Sequence, residues 1–251
     1  MGQRILVLSP WGVDYMDGFA KELISAHVRD DTEIDVANLV GEAPPLPWPA
    51  ASASGAAVER VRKAEAEGYD AVIIACCADP FLAETRAAVK IPVVGLTEAV
   101  VVGSRARGKL AVLARGLSDD YLPLIPTQGN WDFWTNKPLG YGLPRDQFSL
   151  RRVMVPLHPS PEELERLTAE DPARLAELTL EAMGASLLEE GLTEAKAAVA
   201  EDGAEVLYFA CAFWSRAIAG LGDRAPDFGA PVVNPLVTGA TYAEHLVLSA
   251  G

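Results

Sequence analysis

Short runs of Val, Ile and Leu alternate along the chain with longer stretches in which apolar and polar positions repeat with a helical period. Continuous apolar runs of this length are typical of strands buried on both faces of a parallel sheet. The pattern therefore predicts an α/β fold. In the first half it predicts strands at Ile5–Leu8, Ile34–Leu39, Ala71–Ala75 and Val93–Leu96, with helices near 14–27, 56–67 and 80–89.

The second half repeats this order of elements. Its predicted strands are Leu110–Leu113, Arg152–Leu157, Val206–Ala210 and Val232–Leu236, and its predicted helices run from Pro172 to about Ala200, after Cys211, and from Gly239 to Leu248. Because each strand alternates with a helix, each strand–helix–strand unit should cross over right-handed.

An internal repeat surrounds two of the cysteines. The segment 68–76, Gly-Tyr-Asp-Ala-Val-Ile-Ile-Ala-Cys, matches the segment 203–211, Gly-Ala-Glu-Val-Leu-Tyr-Phe-Ala-Cys, in register. Each is followed by Pro-Val-Val, at 92–94 and at 231–233. Buried parallel strands resemble one another, but the shared acid, alanine, cysteine and Pro-Val-Val indicate two related halves.

The second half is longer by an insertion of about thirty residues near 120–150. Residues 126–144 combine Gly, Pro and Asn with four aromatic side chains, a composition typical of a loop. Two interpretations stay open: a lid over a pocket, or a dimer contact or small satellite core.

Charge and cysteine content narrow the class of protein. A net charge of −14 argues against nucleic acid and anionic membranes as partners. The N-terminal apolar run of four residues is too short for a signal peptide or a membrane span. Three cysteines, two of them adjacent, do not suit a disulfide framework, so we expect thiols in a reducing cytoplasm.

Cys76 and Cys211 each follow a predicted strand, at the sheet edge where α/β proteins bind ligands. A helix N-terminus behind such a thiol should lower its pKa and let it act as a base. If the halves are related by a pseudo-twofold axis, one thiol could face each side of a molecule in the cleft between them. Cys77 has no counterpart in the repeat, and we expect it to be a buried bystander.

The residues around Cys76 also carry a family resemblance. The segment 70–80, Asp-Ala-Val-Ile-Ile-Ala-Cys-Cys-Ala-Asp-Pro, and the segment 91–99, Ile-Pro-Val-Val-Gly-Leu-Thr-Glu-Ala, resemble the aspartate/glutamate racemase superfamily and its hydantoin racemase-like branch. The second cysteine segment and its Pro-Val-Val extend the resemblance over most of the chain outside 120–150.

The resemblance implies two pseudo-symmetric Rossmann-like α/β domains with parallel sheets and an active site in the interdomain cleft. The expected domains are 1–103 with 235–251, and 104–234. It also implies a cofactor-independent racemase in which one cysteine removes the α-proton and the other returns a proton; Cys76 and Cys211 match those positions. No metal site is predicted, and the family's members are often oligomers.

Departures from the family leave the substrate open between a small carboxylate, an amino-acid derivative and a hydantoin. Ser9-Pro10-Trp11 replaces the family's usual Asn-Pro-Asn, and Asn234 replaces an Asp. We predict that Ser9, Trp11, Thr97 and Thr238 hold an anionic or imide substrate; for either threonine, a surface or capping role stays open as the alternative. Phe213 and Trp214, at positions that are usually small, would suit a bulkier one.

Other roles also remain open. Asp79 could orient the first thiol or cap a helix starting at Pro80. A maleate-like cis–trans isomerase, a decarboxylase or lyase of the same superfamily, and a non-catalytic ligand-binding module are the alternative functions. Decarboxylases that resemble this family have one cysteine, so the presence of two argues against that activity.

Overall fold

A computed structural model describes residues 2–44, 50–116, 131–155 and 160–249. The chain divides into two compact units: unit 1 comprises Met1–Ala99 and Leu236–Gly251, and unit 2 comprises Val100–Pro235. Each unit contains a parallel sheet and helices, so the predicted α/β class is confirmed. Within the described residues, no helix has both the length and the apolar character needed to span a membrane.

Unit 1 is built on a four-stranded parallel sheet of order β2-β1-β3-β4. The strands are β1 (Arg4–Leu8), β2 (Glu33–Ala37), β3 (Ala71–Ile74) and β4 (Val93–Gly95). Its helices are α1 (Asp17–Ser25), α2 (Ser54–Ala66), α3 (Leu82–Ala88), α4 (Leu96–Ser104), which extends past the boundary of the unit, and α10 (Pro235–Ser249).

Unit 2 has a three-stranded parallel sheet of order β6-β5-β7. The strands are β5 (Leu110–Gly116), β6 (Phe148–Met154) and β7 (Val206–Phe209). Its helices are α5 (Trp131–Gly140), α6 (Pro161–Glu170), α7 (Pro172–Ser186), α8 (Leu192–Asp202) and α9 (Ala212–Leu221), with a π-helical turn at Leu187–Gly191 between α7 and α8.

The short apolar runs at β3 and β7 form strands that are fully buried. All four residues of β3 and all four of β7 are buried, as expected for strands covered on both faces. Gly68 and Gly203 precede them with φ of 80° and 69°, a left-handed conformation that glycine adopts without strain. The glycine that starts the predicted repeat is therefore favoured in both units by the left-handed backbone conformation at that position.

The fourth strand of the second half was predicted incorrectly. Instead of a strand over Val232–Leu236, Val232 forms a single parallel bridge with Leu207, and α10 begins at Pro235. Proline suits the first turn of a helix because that turn does not need its N–H. The Pro-Val-Val repeat therefore ends in a full strand in unit 1 and in one bridge in unit 2.

The aromatic insertion also differs from the prediction. Residues 117–130 lie outside the described residues, but Trp131–Gly140 form helix α5 where a loop was expected. Trp134 is buried and packs edge-to-face on Phe133, with ring centres 5.2 Å apart, and the Lys137 ammonium lies 5.3 Å from the Phe133 ring. The helix forms despite the weak helix propensity of this segment, which includes Pro138.

Candidate active site

The two cysteines that the repeat singled out follow their strands with the same backbone geometry. The Cys76 N–H donates to the Ile74 carbonyl, and the Cys211 N–H donates to the Phe209 carbonyl, each at 2.8 Å. In both cases this tight bond ends the strand and turns the chain away from the sheet. Each cysteine therefore lies at the carboxyl end of a parallel strand, β3 or β7, where α/β proteins bind ligands.

The strand neighbours repeat as well. The Ala75 N–H donates to Leu8 at 2.8 Å, and the Ala210 N–H donates to Leu113 at 2.9 Å. The start of each strand shows the same correspondence: Val72 N–H bonds Pro92, and Leu207 N–H bonds Pro231, both at 2.9 Å. The sequence repeat is thus a structural repeat, in which β1 corresponds to β5 and β3 to β7.

The chain after each cysteine differs between the units. Helix α9 begins directly after Cys211, whereas helix α3 begins only at Leu82, six residues beyond Cys76. Between them, Asp79 and Phe81 adopt φ of 45° and 59°, the left-handed region that is uncommon for residues other than glycine. A helix N-terminus was predicted behind both thiols, and only Cys211 has one directly behind it.

Asp79 caps a helix other than the one predicted from the sequence. Its carboxylate accepts hydrogen bonds from the Thr97 and Glu98 N–H groups, each at 3.0 Å, at the start of α4. The Asp79 N–H donates to the Cys76 carbonyl at 2.9 Å. Asp79 therefore joins the turn after Cys76 to the first turn of α4, and it does not cap a helix beginning at Pro80.

Thr97 reinforces the same turn. Its hydroxyl donates to the Cys77 carbonyl at 2.5 Å, and the Thr97 side chain is fully buried. Cys77 is buried too, in keeping with the expected bystander. In this structure the hydroxyl hydrogen of Thr97 holds the cysteine turn, so any bond between Thr97 and a substrate would have to use its oxygen as an acceptor.

Ser9 belongs to a small polar cluster beyond β1. Its hydroxyl donates to Asp17 Oδ1 at 2.6 Å, and Asn38 Nδ2 donates to Asp17 Oδ2 at 2.7 Å. Burial raises the pKa of the Asp17 carboxyl, while these two hydrogen bonds oppose the shift. Asp17 was missed from the sequence because an acidic residue in the first turn of a helix normally indicates a cap or dipole partner.

The other predicted binding residues of unit 1 differ in exposure. Trp11 is buried in the connection after β1, where its carbonyl accepts from the Leu39 N–H at 3.1 Å. Thr238 lies in the first turn of α10 and is half-buried. The structure thus places Ser9, Trp11, Thr97 and Thr238 together with Cys76 in unit 1, and Cys211, Phe213 and Trp214 in unit 2.

The electrostatics of Cys211 contradict the expected lowering of its pKa. Desolvation of the thiol raises the pKa of Cys211. The charge of Arg115 and the N–H groups of Phe213 and Trp214 oppose this shift without overcoming it. The helix N-terminus therefore acts in the predicted direction, but burial is the larger effect.

Trp214 belongs to the core of unit 2. It is fully buried, and its indole N–H lies 3.1 Å from both the Met183 carbonyl and Ser186 Oγ on α7. Its ring packs edge-to-face on Phe209, with centres 5.5 Å apart. Packing against α7 and Phe209 therefore already uses both the ring and the polar atom of this side chain, which the sequence analysis predicted to hold a substrate.

Phe213 is also buried, and its interaction with Cys211 is through its backbone N–H. Arg115 is the functional candidate that the sequence did not single out. It lies near the end of an apolar strand and is only 5% exposed. Among the described residues, no group of three or more His, Cys, Asp or Glu side chains could hold a metal ion.

Comparison with known proteins supports the predicted family. Residues 5–117 match the family model described as Asp/Glu/hydantoin racemase. A hydantoin racemase from Pseudomonas sp. (strain NS671) is 29% identical over 192 residues, covering 76% of this chain and 63% of that protein. A hydantoin racemase from Rhizobium meliloti is 29% identical over 192 residues, covering 74% and 64% respectively. The chain thus aligns with less than two thirds of the length of these relatives.

A solved structure shows that the fold is shared. Allantoin racemase from Klebsiella pneumoniae superposes with a TM-score of 0.70 at 19% identity, covering 99% of this chain and 89% of that chain. The resemblance to the aspartate/glutamate and hydantoin racemases that the sequence indicated is confirmed.

Proposed function

We propose that this chain, whose resemblance to the Asp/Glu/hydantoin racemases is confirmed, is itself a racemase or epimerase that uses Cys76 and Cys211. The substrate would be a small carboxylate, an amino-acid derivative or a hydantoin. The observation that carries the proposal is the repeated backbone geometry, in which a thiol follows the carboxyl end of the corresponding strand in both units, β3 and β7.

The proposed reaction needs two groups that exchange one proton each with opposite faces of the α-carbon. A thiolate takes the α-proton, which leaves an enolate-like carbanion, and a thiol on the opposite face donates its proton to the same carbon. The C–H bond that breaks on one face is re-formed on the other, and one sulfur gains a proton while the other loses one, so no net acid or base is consumed. Backbone N–H groups and a positive side chain stabilise the negative charge of the intermediate.

The environment of Cys211 suggests how the two roles begin. Burial raises the pKa of the Cys211 thiol and so favours its protonated form, and we assign Cys211 the role of the acid in one direction of the reaction. In that direction the proposal gives Cys76 the role of the base. After the proton has left Cys211, the resulting thiolate is stabilised by Arg115 and by the first N–H groups of α9, which prepares it to act as the base in the reverse direction.

The proposal extends to the surroundings of the reaction. The chemistry of two thiols requires no cofactor, and we propose none. Cys76, Cys77 and Cys211 are thiols rather than disulfides, which fits the reducing cytoplasm that we propose as the location. A homo-oligomer and a division into domains at 103/104 and 234/235 complete the proposal.

The test is proton exchange in deuterium oxide. The protein is incubated with a panel of amino acids, N-carbamoyl amino acids and 5-substituted hydantoins, and deuterium at the α-carbon is followed by NMR. We expect exchange with at least one class, a large loss in Cys76→Ser and in Cys211→Ser, and little change in the matched control Cys77→Ser. Exchange that persists in both single variants would refute the two-thiol reaction.

Further arms separate the alternative functions. If no compound exchanges, maleate is tested for isomerisation and an arylmalonate for release of carbon dioxide; turnover of either would replace racemisation by that reaction. Thermal stabilisation by a panel compound without any turnover would indicate a ligand-binding module instead.

A further inference from the structure

Arg115 occupies the position beside Cys211 at the end of the neighbouring strand. In the β5–β7 ladder, Leu113 pairs with Phe209, so Arg115 and Cys211 each lie two residues beyond that pair. Both are in unit 2 and both lie at the carboxyl edge of the same sheet. Parallel strands bring such residues together at the edge where α/β proteins bind ligands.

Arg115 brings a permanent charge to this edge of the sheet. Arginine keeps its proton at all physiological pH values. Arg115 is 5% exposed, and its charge acts on Cys211, where it favours the thiolate. A guanidinium at a strand end beside a proposed acid–base group is suited to bind a negatively charged ligand.

Only one of the two matched halves of the structural repeat has a cation at this position. Leu8 and Leu113 accept equivalent hydrogen bonds in the two units, so Arg115 corresponds to Pro10. The Cys76 half of the repeat therefore has an uncharged residue where the Cys211 half has a guanidinium. The chain as a whole carries a net charge of −14, so attraction for an anion has to be local.

We propose that Arg115 binds a carboxylate of the substrate beside Cys211, which narrows the substrate class to α-substituted carboxylates and disfavours neutral imides. This inference rests on the proposed function. A guanidinium is suited to the role because its planar donors match the two oxygens of a carboxylate. The same contact would stabilise the negative charge that collects on those oxygens when the α-proton leaves.

The experiment compares ligands that share a side chain and differ in charge. N-carbamoylphenylalanine carries a carboxylate, whereas 5-benzylhydantoin is its neutral cyclic form at pH 7. Binding of both is measured by calorimetry with wild type, Arg115→Met, Arg115→Lys and the control Arg107→Met, which changes an exposed arginine of the same unit. N-carbamoylalanine and 5-methylhydantoin provide a second pair.

We expect Arg115→Met to weaken binding of the carboxylates by about 10- to 100-fold, as for loss of a charge-assisted hydrogen bond. Binding of the hydantoins should change by less than about threefold, on the scale of a contact that carries no charge. Arg115→Lys should fall between wild type and Arg115→Met. Equal losses for both ligands, unchanged carboxylate binding, or no binding of either carboxylate by wild type at millimolar concentration would overturn the inference.

Two further readouts keep this result separate from folding and from the proposed reaction. If Arg115→Met fails to fold, Arg115→Gln and Arg115→Lys provide the same comparison. A loss of affinity that is equal for the carboxylate and the hydantoin overturns the carboxylate site. Deuterium exchange is measured on the same samples. Charge-dependent binding without exchange in wild type would refute the proposed racemase reaction and support the anion site. Exchange restricted to the hydantoins would support the racemase reaction and refute the carboxylate site.

Discussion

The carboxylate of Asp79 offers the sharpest test of how the Cys76 turn is held. It accepts two hydrogen bonds, from Thr97 and Glu98, and the residue is 4% exposed. A hydrogen bond to a charged group contributes about 1.5–3 kcal/mol, and an exposed N-cap about 0.5–2 kcal/mol. Water can replace part of this loss if the turn opens. We therefore expect Asp79→Ala to cost about 3 kcal/mol.

Two further substitutions at Asp79 separate the carboxylate from the backbone. Asp79 has φ of 45°, which costs residues with a Cβ about 1–2 kcal/mol relative to glycine. Asp79→Gly should therefore be less destabilising than Asp79→Ala by about 1 kcal/mol. Asp79→Asn keeps one acceptor oxygen and a residue that tolerates this conformation, so its cost should be about 1–2 kcal/mol.

The assay is native-state hydrogen exchange at the Thr97 and Glu98 amides, with urea unfolding as the global measure. Two units need not unfold in one transition, so the local readout decides. For Asp79→Ala we expect these amides to exchange about 100-fold faster, corresponding to about 3 kcal/mol. The control is Asp171→Ala, which removes an exposed cap of α7 that accepts one bond from Arg174 at 3.0 Å, with an expected cost of about 1 kcal/mol.

The result that would refute this reasoning is an Asp79→Ala variant no more destabilised than Asp171→Ala, with unchanged exchange at the two amides. Equal costs for Asp79→Ala and Asp79→Gly would refute the part that concerns the backbone.

Three shorter predictions follow from the same structure. A Cβ on Gly95 would lie 2.5 Å from the Asp79 carboxyl carbon, so Gly95→Ala should lower the melting temperature. The control Gly55→Ala, on α2 with no atom within 4 Å of the added Cβ, should be neutral or stabilise the protein by up to about 1 kcal/mol. Trp214→Phe should cost about 1–3 kcal/mol in urea unfolding because it removes the buried indole hydrogen bonds; a changed KM at unchanged stability would contradict its place in the core. In a variant whose other two cysteines are serine, alkylation of Cys211 by iodoacetamide should rise with pH to a midpoint above that of a model thiol, and a lower midpoint would contradict burial as the main cause.

The parts of the fold that the sequence predicted well are those set by local pattern. Strands buried on both faces require continuous apolar runs, and the runs at β3 and β7 were found on that basis. The glycines at 68 and 203 mark left-handed turns that other residues disfavour. Both cysteines follow these strands, so their position at a sheet edge needed only the strand ends and the parallel topology.

The errors concern choices that depend on contacts between distant segments. An acid followed by proline favours a cap for the next helix, yet Asp79 bonds the helix eighteen residues further along the chain. A tryptophan in the first turn after a cysteine is compatible with a pocket or with a core, and only the position of α7 decides for Trp214. Burial of the Cys211 thiol likewise depends on how the surrounding helices pack, which no local pattern reveals.

Arg115 is a different case, because the sequence does contain a signal that points to it. The repeat was compared only around the cysteines, whereas the strands that precede them, β1 and β5, correspond equally well. Ser9 and Trp11 were predicted because they stand where the resembled family has Asn-Pro-Asn at the end of its first strand. The corresponding position at the end of β5 is Arg115, the counterpart of Pro10. A positive charge where the other half has proline is a chemical difference between two otherwise matched half-sites. The repeat therefore locates the proposed site, and its asymmetry is what supports a choice of ligand.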